Sequence, residues 1–283
     1  MYANYWGLKD TPFRNTLETR WFYASPGHEE ALARLMYLVE QRRRCGVLWG
    51  PAGTGKSLVL ELLRRETART GAEVALVDLL ASSGREMLWE VLAELGLSPG
   101  VHDSQSDLWR RLHDHVLADR YAHVPLVLIF DHLERAHADC VAMIERVEHL
   151  ASGENSGLTL VLGVSSERAA GLGQTLREIS DLRIDLPPLD RDEVQQYIES
   201  LLVSAGVDRP VFDQSAFDQL FDETRGIPRD LNRLCDLALL AGMADQAVHI
   251  DAAIVSTAAE ELNVRPRIDR PVAQFRERFA AEI

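Results

Sequence analysis

Cysteine is scarce: the 283 residues hold only Cys45, Cys140 and Cys235. So few, and an odd number, exclude a small disulfide-stapled scaffold. The three read as reduced, partly buried small hydrophobes. Their even spacing marks no repeat, because the flanking residues do not match. Long apolar runs are also lacking. The longest, Val124 to Phe130, is far short of the roughly 18 residues that span a bilayer. Met1-Tyr2-Ala3-Asn4 has neither the basic start nor the apolar core of a signal peptide. The expectation is a cytoplasmic chain with no integral membrane segment. Positive charge is in short supply too, with 30 Lys and Arg against 44 Asp and Glu and a net charge of −14. A field of that sign makes nucleic acid or anionic lipid an unlikely broad partner. The nine histidines lack metal-finger spacing. His113-Asp114-His115 has the chemistry to grip a metal but lies in a charged helical stretch, and it reads as a solvated face. What is present is ordinary for a globular protein: 46% hydrophobic and 26% charged residues, which exclude a disordered or collagen-like chain. The length suits two packing units or one large one.

Strand and helix signals alternate over the first two thirds. Ser25-Pro26 caps a helix with Leu32, Leu35, Met36 and Val39 at helical spacing, ending at Arg42-Arg43-Arg44. Those three arginines are the compact basic run, read as a solvated helix end favoured by the macrodipole. Cys45 to Trp49 follows as a buried strand. A helix through Leu58, Leu62 and Leu63 is stopped by Gly71, and Val74 to Val77 is a second strand. Ser83-Gly84-Arg85-Glu86 is a capping box opening a helix through Leu95, and Leu108 to Leu117 is again helical in period. Val124–Phe130, Leu158–Leu162 and the weaker Leu182–Leu186 complete the strands. Strands apolar on both faces, alternating with helices, imply a parallel sheet covered on both sides. After Pro187-Pro188 every segment reads as helix: about 194–202, 215–221, 231–241 and 252–262. The expected division is therefore an α/β nucleotide-binding domain over 1–188 and a helical lid over 189–283. The lid ends in a loosely packed tail from Val264.

Gly50-Pro51-Ala52-Gly53-Thr54-Gly55-Lys56-Ser57 fits the P-loop pattern, GxxxxGK followed by Ser or Thr, between a strand and a helix. Glycines let the backbone curl so that successive N–H groups converge on phosphate oxygens, and the helix N-terminus adds partial positive charge. Lys56 is placed to reach the β- and γ-phosphates, and the Ser57 hydroxyl to ligate Mg²⁺. A second magnesium ligand belongs at the end of a neighbouring strand. Leu126-Val127-Leu128-Ile129-Phe130-Asp131 supplies it, an apolar strand ending in a carboxylate in the Walker B arrangement.

With those motifs in place, the chain resembles an AAA+ ATPase of the ExeA-like, or general secretion pathway protein A, group. Tyr5-Trp6-Gly7-Leu8, Pro12-Phe13, Phe22-Tyr23 and His28-Glu29-Glu30-Ala31-Leu32 are similar to that group's lead-in, which packs near the adenine in AAA+ proteins. Gly226-Ile227-Pro228-Arg229, with Leu231-Asn232 and Leu234-Cys235-Asp236, resembles the lid helix that carries sensor 2; Arg229 matches its γ-phosphate arginine. The resemblance implies a three-layer α/β fold with a five-stranded parallel sheet and a C-terminal all-helical lid. It also implies ATP and Mg²⁺ bound between them, and self-association through the AAA+ interface.

The sequence departs from that pattern at three places. The family's Walker B aspartate is followed by a glutamate that polarises the attacking water. Here the run is Asp131-His132-Leu133-Glu134, so His132 holds that place, with Glu134 two residues on as a substitute. Val164 aligns with the family's polar sensor, with Ser165 or Ser166 beside it. Ile179 aligns with the arginine finger, and Arg177 is the nearby candidate. A positioned base contributes roughly 10²–10⁴ in rate, so these departures predict slow turnover with binding retained. Two functions compete: a slow Mg·ATP-hydrolysing switch or assembly factor, and a nucleotide-gated scaffold with little or no hydrolysis. A transposition-type DNA-associated ATPase is a third, opposed by the −14 charge. The protein partner is not written in the sequence.

Overall fold

The apolar runs become five strands. The computed structural model describes residues 2–16, 18–151 and 157–262, so the expected tail from Val264 lies outside the described residues. The strands are β1 (Cys45–Gly50), β2 (Glu73–Asp78), β3 (Leu126–Asp131), β4 (Leu158–Ser165) and β5 (Leu182–Asp185). They form one parallel sheet in the order β2-β3-β4-β1-β5. β1 is thus flanked by β4 and β5, and the P-loop leaves the sheet from its interior.

The helices are α1 (Tyr2–Trp6), α2 (Pro26–Glu40), α3 (Lys56–Arg69), α4 (Gly84–Glu94), α5 (Gln105–Ala122), α6 (Ala138–Ala151), α7 (Gly173–Ile179), α8 (Arg191–Ser204), α9 (Gln214–Thr224), α10 (Pro228–Ala244) and α11 (Ala252–Glu261). Ser25 caps α2 with Pro26 in its first turn, and Ser83 with Glu86 closes a capping box on α4. Both follow the sequence signals.

Alternation along β3 shows how the sheet is sandwiched. Leu126, Leu128 and Phe130 enter a core with Leu88 and Leu92 of α4, Leu108 and Leu112 of α5, and Ile144 of α6. Val127 and Ile129 enter the opposite core with Leu35 and Leu38 of α2 and Leu60 and Leu63 of α3. A third core holds Val194, Ile198, Leu220, Leu234 and Leu239, together with Trp6, Leu8 and Phe13. Cys45, Cys140 and Cys235 are free thiols buried one in each of the sheet's first core, α6 and α10.

Two expectations are corrected. Residues Tyr5 to Leu8 do not pack beside the nucleotide site. Trp6, 1% exposed, lies against α10 and its indole N–H donates to the Leu239 carbonyl at 2.8 Å. A large ring with one polar atom needs apolar surroundings and one acceptor, and the helical core offers both. The Lys9 amide likewise donates to Ala205 at 2.8 Å. The first residues therefore pack with the helices that follow the sheet. Secondly, Arg42–Arg44 is not a helix end: α2 stops at Glu40 and Arg42 turns left-handed at φ 51°. Arg44 then pairs with Asp181 at 2.8 Å and Glu148 at 3.2 Å, tying the start of β1 to the approach to β5 and to α6.

The chain passes from the sheet to the helical core through residues 186–190, where Gly226 meets Leu189. The Leu189 amide donates to the Gly226 carbonyl at 2.9 Å. Gly226 sits at φ +71°, and a Cβ there would come within 1.8 Å of the Leu189 carbonyl oxygen. Only glycine fits this crossing.

Candidate functional site

A cavity of about 780 Å³ opens at the C-terminal ends of the strands, between sheet and helical core. That volume is ample for a mononucleotide. Its wall includes Ala52, Gly53, Gly55, Lys56 and Ser57 from the loop between β1 and α3, and Arg229 from the first turn of α10. Asp131, His132, Glu134 and Ser165 line it from the ends of β3 and β4. The fold thus brings most of the sequence-predicted residues to one place.

The loop is shaped by backbone. Gly53 and Gly55 take φ +89° and +97°, a region closed to most L side chains. A Cβ on Gly53 would lie 2.9 Å from both Arg229 and Ile227, and the Arg229 amide donates to the Gly53 carbonyl at 3.2 Å. Loop and α10 are therefore in backbone contact. Lys56 is buried, and its Nζ donates to the carbonyls of Gly50 at 2.9 Å and Pro51 at 2.7 Å. Burial holds its ammonium below the usual lysine range, against the opposing pull of Asp131, Glu134 and Glu167. Thr54 is fully buried under the loop, and its hydroxyl donates to Pro51 at 3.0 Å. His28 of α2 props the loop from behind: its Nε2 lies 2.9 Å from the Thr54 carbonyl and its Nδ1 2.7 Å from Ser25 Oγ. A carbonyl only accepts, so Nε2 carries the proton and Nδ1 accepts from the serine.

The opposite wall is made of side chains. Asp131, buried at the end of β3, accepts the His132 amide at 2.8 Å. His132 adopts φ 56°, and its Nδ1 lies 2.9 Å from Asp78 Oδ1 at the end of β2. Because the carboxylate can only accept, Nδ1 donates and Nε2 carries the lone pair. Glu134 Oε2 accepts the Ser165 amide at 3.0 Å. The Ser165 hydroxyl donates to Glu167 Oε2 at 2.6 Å, and both Glu167 oxygens lie 3.1 Å from the Ala52 amide of the loop. These bonds run unbroken from the exit of β3 through the end of β4 to the P-loop.

Val164, aligned with the family sensor, is fully buried in β4, so it is the adjacent Ser165 that faces the cavity. Ile179 is buried in the sheet core, while Arg177, exposed on α7, is not among the cavity's lining residues. Among described residues, the structure does not bring Arg177 to the other predicted residues. Sequence reading passed over Glu167, Asp78 and Trp21. Glu167 follows the flagged Ser165 by two residues, and its carboxylate was the available signal. Asp78 ends β2 as Asp131 ends β3, a parallel visible in the sequence. Trp21 lines the cavity with an indole N–H that has no acceptor among the described residues; no local pattern announces it.

The donor set fits a nucleoside triphosphate with magnesium. Two positive-φ glycines open the loop, a buried ammonium stands behind it, and a hydroxyl and a buried carboxylate sit on facing walls. The comparisons agree with this geometry. Residues 39–168 match the family model described as an AAA domain. Over 267 residues, 93% of the chain, the sequence is 29% identical to general secretion pathway protein A of Aeromonas hydrophila. The chain spans about half of that relative's length, 49%. Among solved structures it is similar to Drosophila ORC bound to DNA, with a TM-score of 0.70 at 14% identity, covering 90% of this chain and 66% of that one. Cdc6p from Pyrobaculum aerophilum gives 0.68 at 18%, covering 89% and 70%. The RuvB Holliday junction branch migration motor of Thermotoga maritima gives 0.54 at 15%, covering 91% and 75%. Identities this low speak for the fold alone. The chain has the AAA+ P-loop fold, matches the AAA domain model over residues 39–168, and is similar over nearly all its length to general secretion pathway protein A.

Proposed function

We propose that the protein is an ATP-binding AAA+ ATPase that hydrolyses Mg·ATP slowly and works as a nucleotide-driven switch or assembly factor. One observation carries the reading: the P-loop carbonyl of Gly53 is bonded to the first turn of α10, beside Arg229, at the mouth of the cavity. A triphosphate there is sensed by sheet and helical lid together.

In this reading the backbone amides of residues 52–57 and the Lys56 ammonium hold the phosphates, Ser57 and Asp131 hold Mg²⁺, and Arg229 reads the γ-phosphate. Bound ATP supplies the phosphoanhydride that is cleaved. His132, aligned by Asp78, offers its Nε2 lone pair as the proton acceptor for water. It brings no negative charge to polarise the attacking water as a glutamate in that place would, and turnover is therefore slow. Glu134 holds Ser165 in place, and Ser165 in turn orients Glu167. Residues 1–188 act as the nucleotide-binding unit and 189–283 as the lid, with the N-terminal helix riding on the latter. Arg177 serves a neighbouring copy across the self-association interface. The protein is placed in the cytoplasm with a protein partner still to be identified.

The tie between Glu134 and Ser165 favours a second reading. If that glutamate is committed to structure, turnover is dispensable and the protein is a nucleotide-gated scaffold. Such a device needs only different ATP affinities in two lid positions. Calorimetry with Mg·ATP followed by a single-turnover assay separates the readings. Binding with product formed over minutes supports the switch; tight binding without product supports the scaffold; no binding defeats both. A DNA-associated role, named for some neighbours of this fold, is opposed by the net charge of −14.

A further inference from the structure

The second cluster of polar side chains lies at the other end of the sheet. Glu73 opens edge strand β2, and His115 and Asp119 stand one helical turn apart on α5, whose His115 ring reaches Glu73. Sequence reading took His115 for part of a solvated face, but its side chain is only 17% exposed and turns toward the sheet. Glu73 Oε2 lies 2.9 Å from His115 Nε2, and Asp119 Oδ2 lies 3.3 Å from the same nitrogen. Asp119 is 8% exposed, and its Oδ2 accepts no hydrogen bond among the described residues.

Proton counting exposes the problem. His115 Nε2 carries at most one proton, and the short contact to Glu73 uses it. The more deeply buried carboxylate is then left without a donor. Burial accordingly pushes the Asp119 carboxyl above its ordinary range, against the opposing influence of His115. A buried polar group without a partner costs roughly 1–3 kcal/mol, so something should occupy this corner.

The geometry points to a divalent transition-metal ion of the Zn²⁺, Co²⁺ or Mn²⁺ class, bound by Glu73, His115 and Asp119 and fastening α5 to β2. The three ligand atoms lie within 4.8 Å of one another. Separations of 2.9 and 3.3 Å suit neighbouring ligands on an ion with bonds of about 2.0–2.2 Å. An imidazole beside two carboxylates selects this class over Mg²⁺ or Ca²⁺, which favour oxygen alone. The ion would take the Nε2 lone pair and neutralise both carboxylates, which removes the orphan. The site is independent of the phosphate cavity: five residue steps of about 3.3 Å each separate Glu73 from Asp78 at the far end of β2.

The test is titration of the nucleotide-free full chain with Co²⁺, followed by visible absorbance, and with Zn²⁺, followed by calorimetry and thermal melting. The expected result is one ion per chain, a ligand-field band in the visible, and a rise of a few degrees in Tm. His115→Ala and Asp119→Asn should each weaken binding at least tenfold, whereas Asp131→Asn, at the other site, should leave it intact. Far-UV circular dichroism checks that each variant is folded, and Glu73→Gln replaces either one that is not. Failure of both ions to bind would overturn the site. So would binding that survives both substitutions, which would mark an adventitious ion only.

Discussion

The two walls of the cavity are built from different materials. The P-loop side is backbone: amides and carbonyls set by positive-φ glycines, fixed from behind by His28 and in front by α10. The facing side, at the ends of β3 and β4, is made of side chains: Asp78 with His132, and a relay from Glu134 through Ser165 to Glu167. Away from its positive-φ glycines, backbone geometry survives most substitutions, because every residue but proline supplies an amide. A side-chain relay changes with each replacement. That difference explains how one wall can keep a phosphate-binding motif whole while the other departs from the usual hydrolytic residues.

The comparison can be broken most forcefully at its one indispensable side chain. Lys56→Ala should lower Mg·ATP affinity by about 100-fold or more, since charge-assisted hydrogen bonds contribute roughly 1.5–3 kcal/mol each; calorimetry reads this directly. On the other wall, His132→Glu should raise the single-turnover rate by up to about 100-fold with little change in affinity. A variant no faster than the parent would mean that the base is not what limits turnover. Gly226→Ala tests the crossing to the lid. The left-handed φ costs about 1–2 kcal/mol, and the collision with Leu189 adds to it, so urea denaturation should show a loss of at least that size. Glu167→Gln sharpens the contrast more gently. Without its negative charge at the Ala52 amide, ATP should bind roughly 2- to 5-fold more tightly, the range expected for an exposed ionic contact.

The smallest effect is one of pH. Burial holds His28 below its ordinary 6.5, so the unfolded chain takes up a proton before the folded one does. The resulting stability is present above pH 6.5 and is lost as the pH falls through the lower folded value. Melts between pH 7.5 and 5 should show a decline of a few degrees in the parent that is flattened in His28→Gln.

How much of this was legible in the sequence depends on range. The strands, the P-loop and Asp131 were readable because each is a local pattern, a short apolar run or a fixed spacing. The two capped helices were readable for the same reason. α6 was missed although Cys140, Met143, Ile144 and Val147 carry its period; it follows a short turn at 133–135, and no serine or threonine announces its start. Trp6 against Leu239, Glu167 against Ala52 and Glu73 against His115 were out of reach, because each joins residues that only the folded sheet brings together. His115 illustrates the cost: charged neighbours in sequence suggested water, while its ring turns inward.

Sheet and helical core are joined by two passages of chain, one between Phe13 and Pro26 and the other over residues 186–190. A body pinned at two points keeps one easy freedom, rotation about the line through the pins. On the proposed reading the cap would therefore swing as a shutter and not lift away as a detachable cover. Whatever free energy the cavity's occupant releases would emerge as torque about that axis, with its longest travel at the surface farthest from both pins.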